Sequence, residues 1–309
     1  MAAEMMRLTL AIAGKTLFSA DVENDATGVG QALADVMHAF MRLNSPFAPI
    51  LDRLPLPSTR RALEGIQRLD GIIYRMISEH RSSGGRDDLL TILLATRDEE
   101  GDQTGMDDRQ LRDEVMTIFL AGHETTAVAL TWTWYLLAQH PEVAEKLHQE
   151  LAHVLNGRPP GFSDVPALVY TRRIFSEALR LYPPVYVTGR KAMVEFQAGD
   201  FLLPAGSNIM ISPWITHRDP RWWAEPQQFD PDRWIGDNEG NRPKFAYFPF
   251  GGGPRICIGE SFAWTEGILV LASLAQCWAP EVRPGFRAEI EPLITLRPKK
   301  GMPMVLKAR

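Results

Sequence analysis

The sequence predicts a mainly α-helical chain with a small β region, and three observations carry that reading. Apolar residues recur at helical spacing through much of the first two thirds. One span from about Asp107 to Gln139 can form a single helix about 50 Å long. Short β-type runs broken by Gly and Pro begin only after Pro183-Pro184.

The elements follow in order. Ser58 to His80 places Ala62, Ile66, Leu69, Ile73 and Ile77 three and four apart, with Arg60, Arg61, Glu64 and Arg68 toward water. It ends at the break Ser82-Ser83-Gly84-Gly85. A shorter amphipathic piece, Asp88 to Thr96, precedes the turn-rich stretch Asp98 to Gly105. The long helix closes at His140-Pro141, and Pro141 opens the next one, Glu142 to Leu155, which Asn156-Gly157 stops. Pro166 to Leu181 forms a further helix. Strands are expected over Val185 to Thr188, Ala192 to Phe196, Phe201 to Leu203 and Asn208 to Ser212. Trp214 to Phe250 has no clear period, which in a packed domain usually marks function. A last helix covers about Gly259 to Gln276, followed by an edge-type tail. No repeat, low-complexity tract or linker interrupts residues 1–309, so a single domain is expected.

Composition excludes several classes. With 45% hydrophobic and 23% charged residues the chain can bury a large core. A net charge of -5 without a basic run argues against nucleic acid as a partner. Cys257 and Cys277 are too few for a disulfide framework and lack the spacing of a structural zinc site, so a reducing, cytoplasmic setting is expected. Met1 to Leu17 has no signal-peptide layout. Val115 to Ala138 is long enough to span a bilayer, but His123 and Glu124 inside it favour a buried core helix, and no membrane segment is expected.

The sharpest local signal is Phe250-Gly251-Gly252-Gly253-Pro254-Arg255-Ile256-Cys257-Ile258-Gly259, directly ahead of a helix. Free backbone N–H groups and the positive dipole end there stabilise a thiolate, the form that ligates metal. Glycines let backbone approach a large flat ligand, and Arg255 offers a planar fork to a carboxylate. A lone buried cysteine is more often a small hydrophobe. A dinucleotide loop is disfavoured because Ile256 stands where it needs glycine.

That decapeptide resembles the haem-binding signature of cytochromes P450, and three further stretches resemble motifs of the same family in the same order. Glu177-Ala178-Leu179-Arg180 is similar to its Glu-x-x-Arg. Pro231-Asp232-Arg233-Trp234 is similar to the element that completes a Glu177, Arg180, Arg233 triad. Ala121-Gly122-His123-Glu124-Thr125-Thr126 is similar to the oxygen-activation motif of the long helix. The resemblance implies a P450 fold with haem b (iron protoporphyrin IX) held between the long helix and the cysteine loop, and Cys257 as axial iron ligand. Phe250, Gly251, Gly259, Arg255 and Ala121 would line the cofactor, and Arg190 would meet a propionate. Val185 to Thr188 would line the substrate side.

Each motif also makes sense alone. Glu177 and Arg180 share a helix face. Ala121 and Gly122 are small enough for close approach to a macrocycle, and Thr125 can turn its hydroxyl back to the Ala121 carbonyl, opening a kink where Glu124 and Thr125 deliver protons. A zinc-peptidase reading of His123-Glu124 fails because residue 127 is Ala. Cys277 reads as packing.

The implied reaction inserts one atom of O2 into an apolar lipid, terpenoid or xenobiotic, with electrons from a separate ferredoxin or flavoprotein reductase. The other reading is a haem-binding protein without turnover. Because Met1 to Leu17 resembles a helix that the family precedes with further structure, the expectation is a P450 fold lacking its N-terminal part. Met5, Met6, Leu8, Leu10 and Ile12 would then form an exposed apolar patch.

Overall fold

The helix over Pro57–Ser83 shows how closely its pattern dictates packing. In the computed structural model its buried side is Ala62, Gly65, Leu69, Ile72, Ile73, Met76, Ile77 and His80. Ile66, which the spacing puts on the apolar face, is exposed instead. The reason is Gly65, where an added Cβ would stand 3.0 Å from the Ala32 carbonyl. The neighbouring helix therefore backs onto the glycine, and Ile66 is turned off the seam.

The structure describes residues 1–22, 26–43, 56–84, 86–98, 103–236 and 242–309. Gly85 of the expected break, residues 99–102 of the turn-rich stretch and residues 237–241 of the irregular segment lie outside the described residues. The helices are α1 Ala2–Phe18, α2 Ala26–Leu43, α3 Pro57–Ser83, α4 Leu89–Ala95, α5 Asp108–Gln139, α6 Pro141–Leu155, α7 Val169–Leu181, the single turn α8 Pro213–Thr216, and α9 Glu260–Cys277. Residues cluster into two units, Met1–Val128 and Ala129–Arg309, with the boundary inside α5.

In the first unit, α1 to α4 and the start of α5 enclose Leu10, Phe18, Val29, Leu69, Ile73, Met76, Leu90, Leu111, Val115 and Phe119. The expected exposed patch on α1 is absent: Met5 is 4% and Leu10 1% exposed, and Met6, Leu8 and Ile12 are half-buried. α1 packs against α2 and α4, and Leu10 lies in the core of this unit. His80 and Asp88 join α3 to α4. The His80 Nε2 lies 2.7 Å from the carboxylate, while the other Asp88 oxygen caps α4 by accepting from the Thr91 amide at 2.9 Å.

In the second unit α6, α7 and α9 pack together. Antiparallel pairs join β1 Thr188–Lys191 to β4 Asn208–Ile211, β2 Phe196–Ala198 to β3 Phe201–Leu203, β5 Trp278–Val282 to β8 Met304–Ala308, and β6 Ile290–Pro292 to β7 Leu296–Pro298. Two strands differ from expectation. Val185 to Val187 stay outside the sheet, since the Tyr186 carbonyl accepts from the Ser212 hydroxyl at 2.8 Å and the Trp214 amide at 3.4 Å, and the ladder starts only at Thr188 opposite Ile211. β2 begins at Phe196, where the expected run ends. β propensity depends on a partner edge, and local sequence cannot name the partner. α7 begins at Val169 rather than Pro166, with Leu168 as its N-cap residue. The exposed large apolar side chains of this unit include Met193, Val194, Phe201, Leu202 and Met210, on and beside the first two pairs. No helix among the described residues is long and apolar enough to cross a membrane.

Candidate haem-thiolate site

The cysteine loop is built backward from α9. Gly259 is the N-cap residue of that helix, and Cys257 stands two residues ahead of it. Upstream, the Cys257 amide donates to the Phe250 carbonyl at 3.0 Å, Ile256 to Gly253 at 3.0 Å, and Gly251 to Phe248 at 2.9 Å. These bonds fold residues 248–257 into a compact loop. Gly251 adopts φ 77°, a left-handed conformation that costs a side-chain-bearing residue free energy. The Phe250 ring is fixed against Trp264 of α9, centroids 5.6 Å apart.

The outer surface of the loop is open. Arg255, Ile256, Cys257 and Ile258 are all exposed, Ile258 at 88%, and both cysteines are free. Among the described residues Arg255 has no carboxylate partner. Arg190, on β1, likewise meets no carboxylate; its Nη1 donates to the Thr188 hydroxyl at 3.0 Å and the Gly189 carbonyl at 2.9 Å.

Beneath the loop the charges are closed in. Glu177 and Arg180, on one face of α7, are both fully buried, and Arg233 is nearly so. Arg180 Nε and Nη2 each donate to Glu177 at 2.8 Å, and Arg233 Nε donates to Glu177 at 2.9 Å. The Trp234 indole and the Asp230 amide add two more donors at 3.1 Å. Remaining guanidinium protons go to carbonyls: Arg180 to His217, Pro226 and Gln228, Arg233 to Ala224. With every lone pair engaged, the desolvation cost of the buried ions is offset within the cluster.

Sequence reasoning missed two members. Trp234 follows Arg233 directly and could have been read as its companion. His217 could not, because its part depends on fold alone. Its carbonyl takes Arg180 while its Nε2 accepts from the Phe248 amide at 2.9 Å. Burial, and then the nearby Arg180 and Arg218, push its pKa down to about 3, so the ring stays neutral and able to accept. His217 thus joins the buried cluster to the start of the cysteine loop. Its neighbour Arg218 lies 3.4 Å over the Trp214 ring and bonds the Leu181 carbonyl; burial brings its pKa down to about 10.

The residues of the long helix lie in the first unit. Ala121 is exposed, Thr125 half-buried and Glu124 buried. The Thr125 hydroxyl donates to the Ala121 carbonyl at 3.0 Å. Gly122 has a different neighbour from the flat macrocycle expected of it: a Cβ there would meet Leu17 and Ala13 of α1 at 3.6 and 4.0 Å.

The cytochrome P450 family model matches residues 1–303. The chain belongs to the cytochrome P450 family. It is 40% identical over 296 residues to cyclooctatin synthase of Streptomyces melanosporofaciens, covering 95% of this chain and 64% of that protein. It is 37% identical over 293 residues to pentalenene oxygenase of Streptomyces avermitilis, covering 94% and 64%. The solved structure of the cytochrome P450DA heme domain superposes with a TM-score of 0.88 at 30% identity, covering all of this chain and 68% of that one. The chain therefore spans about two thirds of the length of these P450 relatives.

The family implies haem, and the loop fits it. The exposed thiol of Cys257 would supply the soft donor that iron takes in haem-thiolate proteins; Cys277, expected to serve packing, is exposed as well but stands at the far end of α9, away from the loop. The two exposed isoleucines beside it match an apolar macrocycle, and the cations of Arg255 and Arg190 match its carboxylates.

Proposed function

We propose that this P450 chain is a haem-thiolate monooxygenase that inserts one atom of O2 into an apolar small molecule of terpenoid type, with electrons supplied by a separate ferredoxin or flavoprotein reductase. The observation that carries the reading is the Cys257 loop, rigid within and open outside. The similarity to pentalenene oxygenase and to cyclooctatin synthase supports the substrate class. Two free cysteines agree with a cytoplasmic setting.

In this reading Cys257 holds haem b through its sulfur, Phe250, Gly251 and Gly259 shape the loop that presents it, and Ala121 leaves the open side of α5 uncrowded. Arg255 and Arg190 hold the propionates. Bound there, the haem supplies O2 binding and O–O cleavage, which thiolate donation favours. Thr125 and Glu124 hold and relay the protons that the reaction consumes. The residues around Val185 orient the apolar substrate and exclude water.

The test is the absorption spectrum of the reduced, CO-bound protein, followed by product analysis with hydrogen peroxide and a panel of cyclic terpenes. A thiolate-type CO spectrum that Cys257→Ala removes and Cys277→Ala leaves intact is expected, together with hydroxylated product. A thiolate spectrum without product on any panel member would favour haem binding without turnover. A spectrum indifferent to Cys257 would overturn the assignment.

A further inference from the structure

We propose that Thr9 of α1 is a positioning residue for the Glu124–Thr125 turn of α5, acting through a hydrogen bond from its hydroxyl to the His123 carbonyl. The inference rests on reading Glu124 and Thr125 as the proton-handling pair.

Helical threonines in this chain ordinarily bond back to their own helix: Thr16 to Ile12, Thr117 to Asp113 and Thr133 to Ala129. Thr9, fully buried, does something more. Its Oγ1 lies 3.0 Å from the Met5 carbonyl and 3.4 Å from that of Met6, but 2.9 Å from the carbonyl of His123, 114 positions along the chain. Two oxygens so close in a buried setting repel unless a proton lies between them. The hydroxyl is therefore shared with α5.

The carbonyl it meets matters. In a regular α-helix the oxygen of residue 123 accepts from the amide of residue 127, and a second donor draws such a carbonyl outward and lengthens the helical bond. Two residues earlier the Ala121 carbonyl, which would serve amide 125, takes the Thr125 hydroxyl. Two neighbouring rungs of the ladder are thus each shared with a hydroxyl. Gly122, between them, is the weakest helix former of this stretch.

The contact is also aligned with the packing. Thr9, Ala13 and Leu17 are spaced by four on α1, and the last two are the residues Gly122 faces. One stripe of α1 therefore sets the height and rotation of the turn, keeping Glu124 inside and Thr125 toward the open side. The Thr126 hydroxyl, buried and without a partner among the described residues, is a further polar group that a water entering the loosened turn would satisfy.

The decisive pair of variants is Thr9→Ser and Thr9→Ala, which differ only in the hydroxyl. Hydrogen exchange of the peptide covering residues 121–128 is followed in the haem-loaded protein, with the ratio of product to oxygen consumed. Thr9→Ser should match wild type in both. Thr9→Ala should slow exchange in that peptide by about fivefold, the size one net hydrogen bond allows, because the released carbonyl returns to its helical amide. It should also lower the product ratio about fivefold while oxygen consumption continues. A role in packing alone would give the opposite sign, faster exchange. Faster or unchanged exchange in Thr9→Ala, or an unchanged product ratio where Thr125→Ala lowers it, would overturn the role of Thr9 and leave the reading of the pair standing. An unchanged ratio in Thr125→Ala would instead sink the reading of the pair, and the exchange result would still decide whether Thr9 restrains the helix. Should Thr9→Ala fail to fold, Thr9→Val carries the same two measurements.

Discussion

The Glu177 cluster and the Cys257 loop are neighbours joined through His217, yet their charges are handled in opposite ways. Glu177 accepts from Arg180, Arg233, Trp234 and the Asp230 amide, all within the protein and away from water. Cys257, Arg255 and Arg190 present a donor atom and two cations to the outside, with no internal carboxylate for either guanidinium among the described residues. The haem proposed above would complement the open loop, and the closed cluster beside it would hold that loop rigid enough to meet such a group.

The comparison predicts a double dissociation, and its stability arm is the largest effect. Glu177→Ala strands two buried guanidinium groups and should cost about 3–5 kcal/mol, enough to unfold much of the protein in moderate urea. Cys257→Ala alters an exposed side chain and should change the urea midpoint by less than about 0.5 kcal/mol equivalent, while abolishing the thiolate-type CO spectrum. If Cys257→Ala destabilised as much as Glu177→Ala, the loop would be part of the core and the contrast would be false.

The connection between the two regions is the next thing to break. His217→Phe keeps an aromatic ring beside Tyr247 but leaves the Phe248 amide without its acceptor, which should cost about 1–3 kcal/mol. Faster exchange across residues 248–257 and faster haem loss should appear together. Loss of stability with the loop amides still protected would mean that His217 serves packing alone.

How much of this was legible in the sequence follows the range of the interactions. The pair Glu177 and Arg180 is three residues apart and needs only a helix to meet, and the Cys257 loop is one continuous decapeptide with its helix beside it. The burial face of α3 was legible except at Ile66, where the backbone of α2 meets Gly65. Strand register, the bridging His217 and the Thr9 contact to His123 depend on which distant segments become neighbours. No local periodicity encodes that. Trp234 lies between these cases, adjacent to Arg233 but with an indole whose target only the fold supplies.

A smaller effect separates the cations of the open region from those of the closed one. Arg255→Gln removes a solvent-exposed charge, so the urea midpoint should stay within about 0.5 kcal/mol equivalent of wild type. Haem dissociation should rise several-fold, as expected for one partly screened charge-assisted bond of about 1 kcal/mol. The opposite pattern, lower stability with unchanged haem retention, would place Arg255 in the closed class.

An effect confined to low pH is expected where a buried ionic group has fewer partners, at Asp88 in the first unit. Burial alone would raise its pKa, but hydrogen bonds from His80, Ser19 and Thr91 outweigh burial and hold it well below its ordinary value near 3.8. A carboxyl depressed in the folded state adds stability that is fully present above its unfolded pKa and is lost as pH falls through the folded one. The His80–Asp88 link and the cap on α4 should therefore be constant from pH 7 to about 5 and weaken progressively below about pH 4. Asp88→Asn retains a capping oxygen for the Thr91 amide and removes the ionisation, so its stability should be lower at neutral pH, by about 1 kcal/mol, and free of this acid-dependent component. Urea midpoints of both proteins at pH 7, 5 and 3.5, read through exchange at residues 76–95, would test it. If the two curves ran parallel down to pH 3.5, the Asp88 charge would contribute nothing. Self-satisfaction of buried charge would then need the fuller set of donors that only the Glu177 cluster assembles.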